Sequence, residues 1–189
     1  PAVAHCLEDV HARVRRAAAD AIGKFGASAV AQASALSTCL VDLDDGVRCA
    51  AATALGRLAI AAGHLVPQVA EDSFGEGYHP VKVVDTPSSP AAVFQDRACK
   101  ALAKCLKDPS PTVRKAAASA LGNLGHAAKP HAASLVRRLE QDSSESVRRA
   151  AGESLQDLAL QLATKENASD SMSAEVQATK QAGTPLQKR

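Results

Sequence analysis

Val113-Arg114-Lys115-Ala116-Ala117-Ala118-Ser119-Ala120-Leu121-Gly122 is a phrase that the chain writes four times. It stands first as Val14-Arg15-Arg16-Ala17-Ala18-Ala19-Asp20-Ala21-Ile22-Gly23, then as Val47-Arg48-Cys49-Ala50-Ala51-Ala52-Thr53-Ala54-Leu55-Gly56. The last copy is Val147-Arg148-Arg149-Ala150-Ala151-Gly152-Glu153-Ser154-Leu155-Gln156. The four valines are 33, 66 and 34 residues apart, so the middle interval is a double step. A fixed period of this length marks a stacked array, in which each unit buries its apolar face on its neighbours.

The second copy shows the unit most clearly. Residues 28–43 carry Val30, Ala33, Leu36, Leu40 and Leu43 at helical spacing, which predicts a first helix. Asp42-Leu43-Asp44-Asp45-Gly46 then reads as a polar turn. A second helix is expected from Val47 to Ala62, with Val47, Ala50, Ala51, Ala54, Leu55 and Leu58 in one apolar stripe. Cys49, Thr53 and Arg57 step by four on the other side and should face solvent.

Two polar positions recur as strictly as the apolar ones. Asp9, Asp42, Asp108 and Asp142 stand five residues before the valines, and Arg15, Arg48, Arg114 and Arg148 directly follow them. A carboxylate at the turn can cap the next helix. Each Arg can reach a neighbouring turn, so stacked units could form an Asp–Arg ladder. The alternative is a row of arginines that binds anions; a matching Asp for every Arg favours the ladder.

The pattern of helix, Asp turn and Val-Arg-x-Ala-Ala-x-x-Ala-Leu-Gly resembles HEAT repeats, in particular the short type of phycobilisome-lyase-like arrays. The resemblance covers about residues 1–62 and 94–162. The ankyrin Thr-Pro-Leu-His phrase and the Trp and Tyr landmarks of tetratricopeptide repeats are absent. The resemblance implies an all-α fold, a right-handed HEAT/armadillo-like α-α superhelix of three to four helical pairs with one pair degenerate. In such arrays the second helices usually line the concave side. That side would present Arg16, Asp20 and Lys24; Cys49, Thr53 and Arg57; Lys115, Ser119 and Asn123; and Arg149, Glu153 and Asp157.

The expected organisation is repeats 1 and 2 in residues 1–62, a degenerate repeat in 63–93, repeats 3 and 4 in 94–164, and a disordered polar tail in 165–189. In the double step, Pro80 occupies the place due to a valine. Gly75, Gly77, Pro80, Pro87 and Pro90 crowd 16 residues, and a Pro inside a helix costs about 3 kcal/mol. Residues 73–91, with Phe74, Tyr78 and His79, therefore read as a long loop replacing a helix or as an insertion. The next first helix is expected from Val93 to Lys107. The first valine comes only 14 residues in, which reads as a processed form or a fragment of a longer array with an open stacking face.

The 189 residues hold 2% aromatics and no Trp, and a core of Ala, Leu and Val suits closely packed helices. A net charge of +2 gives no strong field for nucleic acid or membrane. No stretch approaches the ~18 apolar residues of a membrane span. The five cysteines form no CxxC; Cys6, Cys39 and Cys105 share one repeat position, eight before the valine, and read as small core residues. Cys49 is the thiol expected to be most reactive. This usage fits a reducing compartment, hence an intracellular, cytoplasmic protein.

The six histidines form no HExxH. A hydroxylase family builds a di-iron site from His-Glu pairs on the HEAT scaffold; Arg, Ala and Ala stand at the corresponding positions here. No metal, cofactor or catalytic residue is expected. A bilin lyase or isomerase, which the resemblance brings in, would want aromatics for a tetrapyrrole. A nucleic-acid-binding solenoid would want a continuous basic face. The reading is a non-catalytic scaffold binding a protein partner on the second-helix face. The alternative is a structural segment of a longer chain or complex that uses the array ends and the 73–91 loop.

Overall fold

The computed structural model describes residues 2–63, 90–161 and 163, which form α-helices and short 3₁₀ segments and contain no strand. Four helical pairs follow one another among the described residues. They are α1 (Ala2–His5) with α2 (Ala12–Phe25), α3 (Ala33–Cys39) with α4 (Asp45–Gly63), α5 (Pro90–Cys105) with α6 (Pro111–Asn123), and α7 (Ala132–Gln141) with α8 (residues 145–161). The four valine phrases open α2, α4, α6 and α8.

Helix α4 is the centre of the stack, packed against α2 on one side and α6 on the other, with α3 and α5 in the adjoining layer. Its stripe of Val47, Ala50, Ala51, Ala54, Leu55 and Leu58 is buried along its whole length. Leu36, Leu102, Leu106, Leu121 and Leu135 fill the space between the layers. Val47, Val113 and Val147 are 0% exposed, whereas Val14, which no described pair precedes, keeps 38%.

The last residue of the phrase sets how closely the second helices approach. A Cβ built at Gly23 would lie 2.8 Å from the Ala54 Cα, one at Gly56 2.7 Å from the Ala120 Cβ, and one at Gly122 2.6 Å from the Ser154 Cβ. Each glycine thus meets the eighth residue of the next phrase, which must itself be small. In the fourth phrase, where no further described helix stacks, the glycine position is the exposed Gln156.

Helix ends follow from a second glycine. Gly26 and Gly125, both twelve residues after their valines, have φ of 56° and 54°, a left-handed conformation that ends a helix and that side chains resist. There α2 and α6 give way to the 3₁₀ segments Gly26–Gln32 and Gly125–His131. Ala59 holds the equivalent place in α4, so this helix runs on to Gly63.

Several expectations need correction. The first helix of the second pair is not continuous over 28–43: a 3₁₀ segment precedes a short α3, and the chain leaves the helix after Cys39. Leu43, which spacing placed on the apolar face, is therefore fully exposed in the turn, and Ala29 is buried instead. Helix α5 begins at Pro90, three residues before Val93, because Pro lacks only an N–H that the first turn leaves unpaired. The double step is a single step of the stack, since α4 packs directly on α6. The expected loop at 73–91 (apart from Pro90 and Ala91), most of the 63–93 unit and the 165–189 tail lie outside the described residues.

Candidate functional site

The second helices present two polar edges, and the consecutive residues Arg-x of each phrase divide between them. On one edge the arginine after the valine bridges two units. Arg15 donates from Nε and Nη2 to the Asp42 carboxylate at 2.7 and 2.8 Å. Arg48 does the same to Asp108 at 2.8 and 3.0 Å, and Arg114 to Asp142 at 2.8 and 2.8 Å. The remaining Nη1 donates to the carbonyls of the arginine's own turn: Asp9 and Val10, Asp42 and Leu43, Asp108 and Pro109. Arg48 and Asp108 are 60 residues apart in sequence yet form the same rung as pairs 27 and 28 apart. Arg148 makes the turn half of the rung, to Asp142 and Ser143 carbonyls, without a carboxylate partner among the described residues.

The aspartates do not cap the second helices, as their position had suggested. Each folds its Oδ1 back onto the N–H two residues ahead: His11, Asp44, Ser110 and Ser144 at 2.8–2.9 Å. In the second pair the capping acceptor is Asp44, whose Oδ1 takes the Val47 N–H at 3.0 Å. Arg15 holds the Asp42 carboxyl below its usual range, with burial opposing. At Asp108, burial is the larger single influence, but the Arg48 and Ser110 donors together outweigh it and lower the pKa. The Arg114 hydrogen bonds bring Asp142 down to about 2; its side chain is fully buried and also takes a 3.4 Å contact from Arg138.

The other edge is a groove between α4 and α6 with a volume of about 490 Å³. It brings together Cys49, Thr53 and Arg57 with Lys115, Ser119 and Asn123, six residues of the stripe proposed from sequence. Ile60, Thr112 and Ala116 line it as well. Sequence reasoning missed these three because it followed one row of side chains four apart, whereas a groove between two helices also draws on the rows beside it. Arg57, Lys115 and Asn123 are exposed, and none of them, nor the half-buried Ser119, makes a hydrogen bond or ion pair among the described residues.

The remaining stripe residues sit outside the groove. Arg16 approaches Gly46 at the start of α4, and Asp20 is half-buried on α2. Lys24 and Asp157 are exposed, and Arg149 faces Glu153 at 3.8 Å along α8.

Cys49 is not the open thiol that its place in the stripe suggested. It is half-buried, its Sγ donates towards the Thr112 carbonyl at 3.7 Å, and burial raises its pKa, which favours the unreactive thiol. Cys39 and Cys105 are buried and Cys6 half-buried; burial pushes Cys105 up to about 11. Among the described residues no group of His, Cys, Asp or Glu could hold a metal ion, and no helix is long and apolar enough to cross a membrane.

Comparison with known proteins places this architecture. The family described as HEAT repeats matches residues 91–156, and that described as HEAT repeat matches residues 1–29. An engineered protein of solved structure is similar at 20% identity and a TM-score of 0.57, over 84% of this chain and 61% of that one. This chain thus spans less than two thirds of that protein's length. The complex of CpcE and CpcF of phycocyanin lyase from Nostoc sp. PCC7120 is similar at 24% identity and a TM-score of 0.52, over 84% of this chain and 77% of that one. Both likenesses concern the fold. No curated protein matches the sequence. With its phrase folded four times into stacked pairs, and HEAT matches at both ends of the stack, the chain belongs to the HEAT-repeat family.

Proposed function

We propose that this chain is a non-catalytic scaffold that binds a protein partner through the exposed face of its second helices. The observation that carries this reading is the groove between α4 and α6. Its Arg57, Lys115, Ser119 and Asn123 make no hydrogen bond or ion pair among the described residues, while the arginines one edge away are tied into rungs. HEAT-type arrays commonly serve protein–protein interaction, and a face whose polar groups are presented but unused is what a partner can engage. A bilin-handling role is less well supported, because no aromatic side chain among the described residues lines the groove.

The test is affinity capture from source-cell extract with the 189-residue chain, read by mass spectrometry. The intact chain is compared with Arg57→Glu/Lys115→Glu and with a chain lacking residues 73–91. Thermal melting checks that each variant folds. A protein lost only with the charge reversals supports the groove. A protein retained by them but lost with the deletion transfers the function to the alternative, a structural segment of a larger assembly.

A further inference from the structure

Resting on that reading, we propose that the groove takes an extended acidic peptide segment laid across α4 and α6, its carboxylates engaged by Arg57 and Lys115. Among the described residues, the groove is lined by two cations and no acid. Neither cation has a carboxylate within ion-pair distance among the described residues, whereas Arg15, Arg48 and Arg114 have one each. Arg16 of α2, whose side chain comes close to Gly46 at the start of α4, adds a third cation beside the groove; like Lys115, it acts electrostatically on the Cys49 thiol of α4. Cys49 stays a neutral thiol, so it does not offset them.

Acids bound this stretch: Asp20 on α2 and Asp45 at the start of α4 also act on the Cys49 thiol, and Glu153 and Asp157 stand on α8. The cationic region is therefore short and centred on the groove. That limit, and the lack of an aromatic platform among the described residues, favours a peptide over a nucleic acid, whose phosphates would run on into the acids. Geometry fixes a spacing. Neighbouring helices lie about 10 Å apart and an extended chain advances about 3.3 Å per residue. Arg57 also stands about 9–12 Å further along its helix than Lys115 does, so carboxylates about four to five residues apart would span the two cations. Ser119 and Asn123 lie beside them and can bond the peptide backbone.

The experiment is fluorescence anisotropy of the 189-residue chain with labelled (Glu-Gly-Ser-Gly)₄, against the same peptide with Lys or Gln in place of Glu and against a dodecamer of deoxythymidine. The Glu peptide should bind, weaken as salt is raised, and lose about tenfold in affinity with Arg57→Glu/Lys115→Glu. Arg137→Glu, exposed on α7, should change nothing. Equal binding of the Lys or Gln peptide, tighter binding of the oligonucleotide, or indifference to the double reversal would overturn the proposal. So would binding that emerges only once residues 64–89 are deleted, since the chain's own Glu71, Asp72, Glu76 and Asp85 would then be the occupant. A captured protein that is lost with Ser119→Trp, while the Glu peptide fails to bind, would sink the acidic assignment and leave the groove. A captured protein indifferent to Ser119→Trp would remove the groove itself.

Discussion

Arg114 and Lys115 are neighbours in sequence and carry the same charge, but they belong to opposite edges of α6. Arg114 is buried, four of its five donors divided between the Asp142 carboxylate of the next unit and two carbonyls of its own turn. Lys115 stands in the groove with no hydrogen bond or ion pair among the described residues. The same division holds for Arg15 and Arg16 and for Arg48 and Cys49. A rung fixes the register between units because a guanidinium and a carboxylate match in only one orientation. The next position, on the other edge, is free of that constraint, and its residue changes from copy to copy: Arg16, Cys49, Lys115, Arg149.

The comparison breaks most sharply at the third rung. Burial of the pairs deepens along the stack, with carboxylate exposures of 12%, 9% and 0% at Asp42, Asp108 and Asp142. Arg114→Ala would leave Asp142 buried with only the Ser144 N–H and the longer Arg138 contact. It should cost about 3–5 kcal/mol in urea denaturation, the penalty of an uncompensated buried charge. Arg15→Ala should cost clearly less, because solvent reaches its rung. Equal losses at the two sites would mean that burial does not set the strength of the ladder.

Close approach of the second helices is the next test. Gly122→Val would drive a branched side chain into Ser154, whose Oγ already lies 2.9 Å from the Ala118 carbonyl across the same contact. The expected loss is about 3 kcal/mol, from overpacking a contact made by backbone and Cβ atoms that cannot swing aside. Gln156→Val, at the same phrase position in α8, should change stability little.

A third effect follows from the acid side of the ladder. Asp142 titrates at about 2 in the folded chain and near 3.9 when unfolded. Its folded pKa is depressed, so its contribution is complete above the unfolded value and is lost as pH falls through the folded one. Stability should decline between about pH 5 and pH 2, with Asp142 accounting for about 2 kcal/mol of the fall. Asp42 and Asp108 are lowered in the same direction and add to it. Asp142→Asn should flatten the decline when melts are compared across this range. An unchanged slope would show that the rung does not hold Asp142 ionised.

Much of this was legible in sequence, and the parts that were not have definite causes. The apolar stripe of α4 could be read because a buried helix must repeat its contacts every turn. The recurrence of Asp with Arg raised the possibility of rungs, but periodicity could not say which Arg meets which Asp across the double step. A missing unit and an inserted stretch give the same arithmetic; only the Arg48–Asp108 pairing and the contact of α4 with α6 separate them. Leu43 misled because residues 36, 40 and 43 keep helical spacing after the helix has ended. Cys49 misled because the residue that shields it, Thr112, comes from the next pair.

The smallest expected effect sharpens the comparison most. Lys115→Ala should alter stability by no more than about 0.5 kcal/mol, the usual range for an exposed side chain without a fixed partner. It shortens nothing that α6 needs, since Ala favours the helix and the groove wall formed by Ala116 and Ala120 stays in place. Set beside Arg114→Ala in the same denaturation experiment, it differs by one position and by an expected several kcal/mol. A loss of 2 kcal/mol or more at Lys115 would mean that the groove cation holds the array together. The two edges of the helix could then no longer be assigned separately to stacking and to binding.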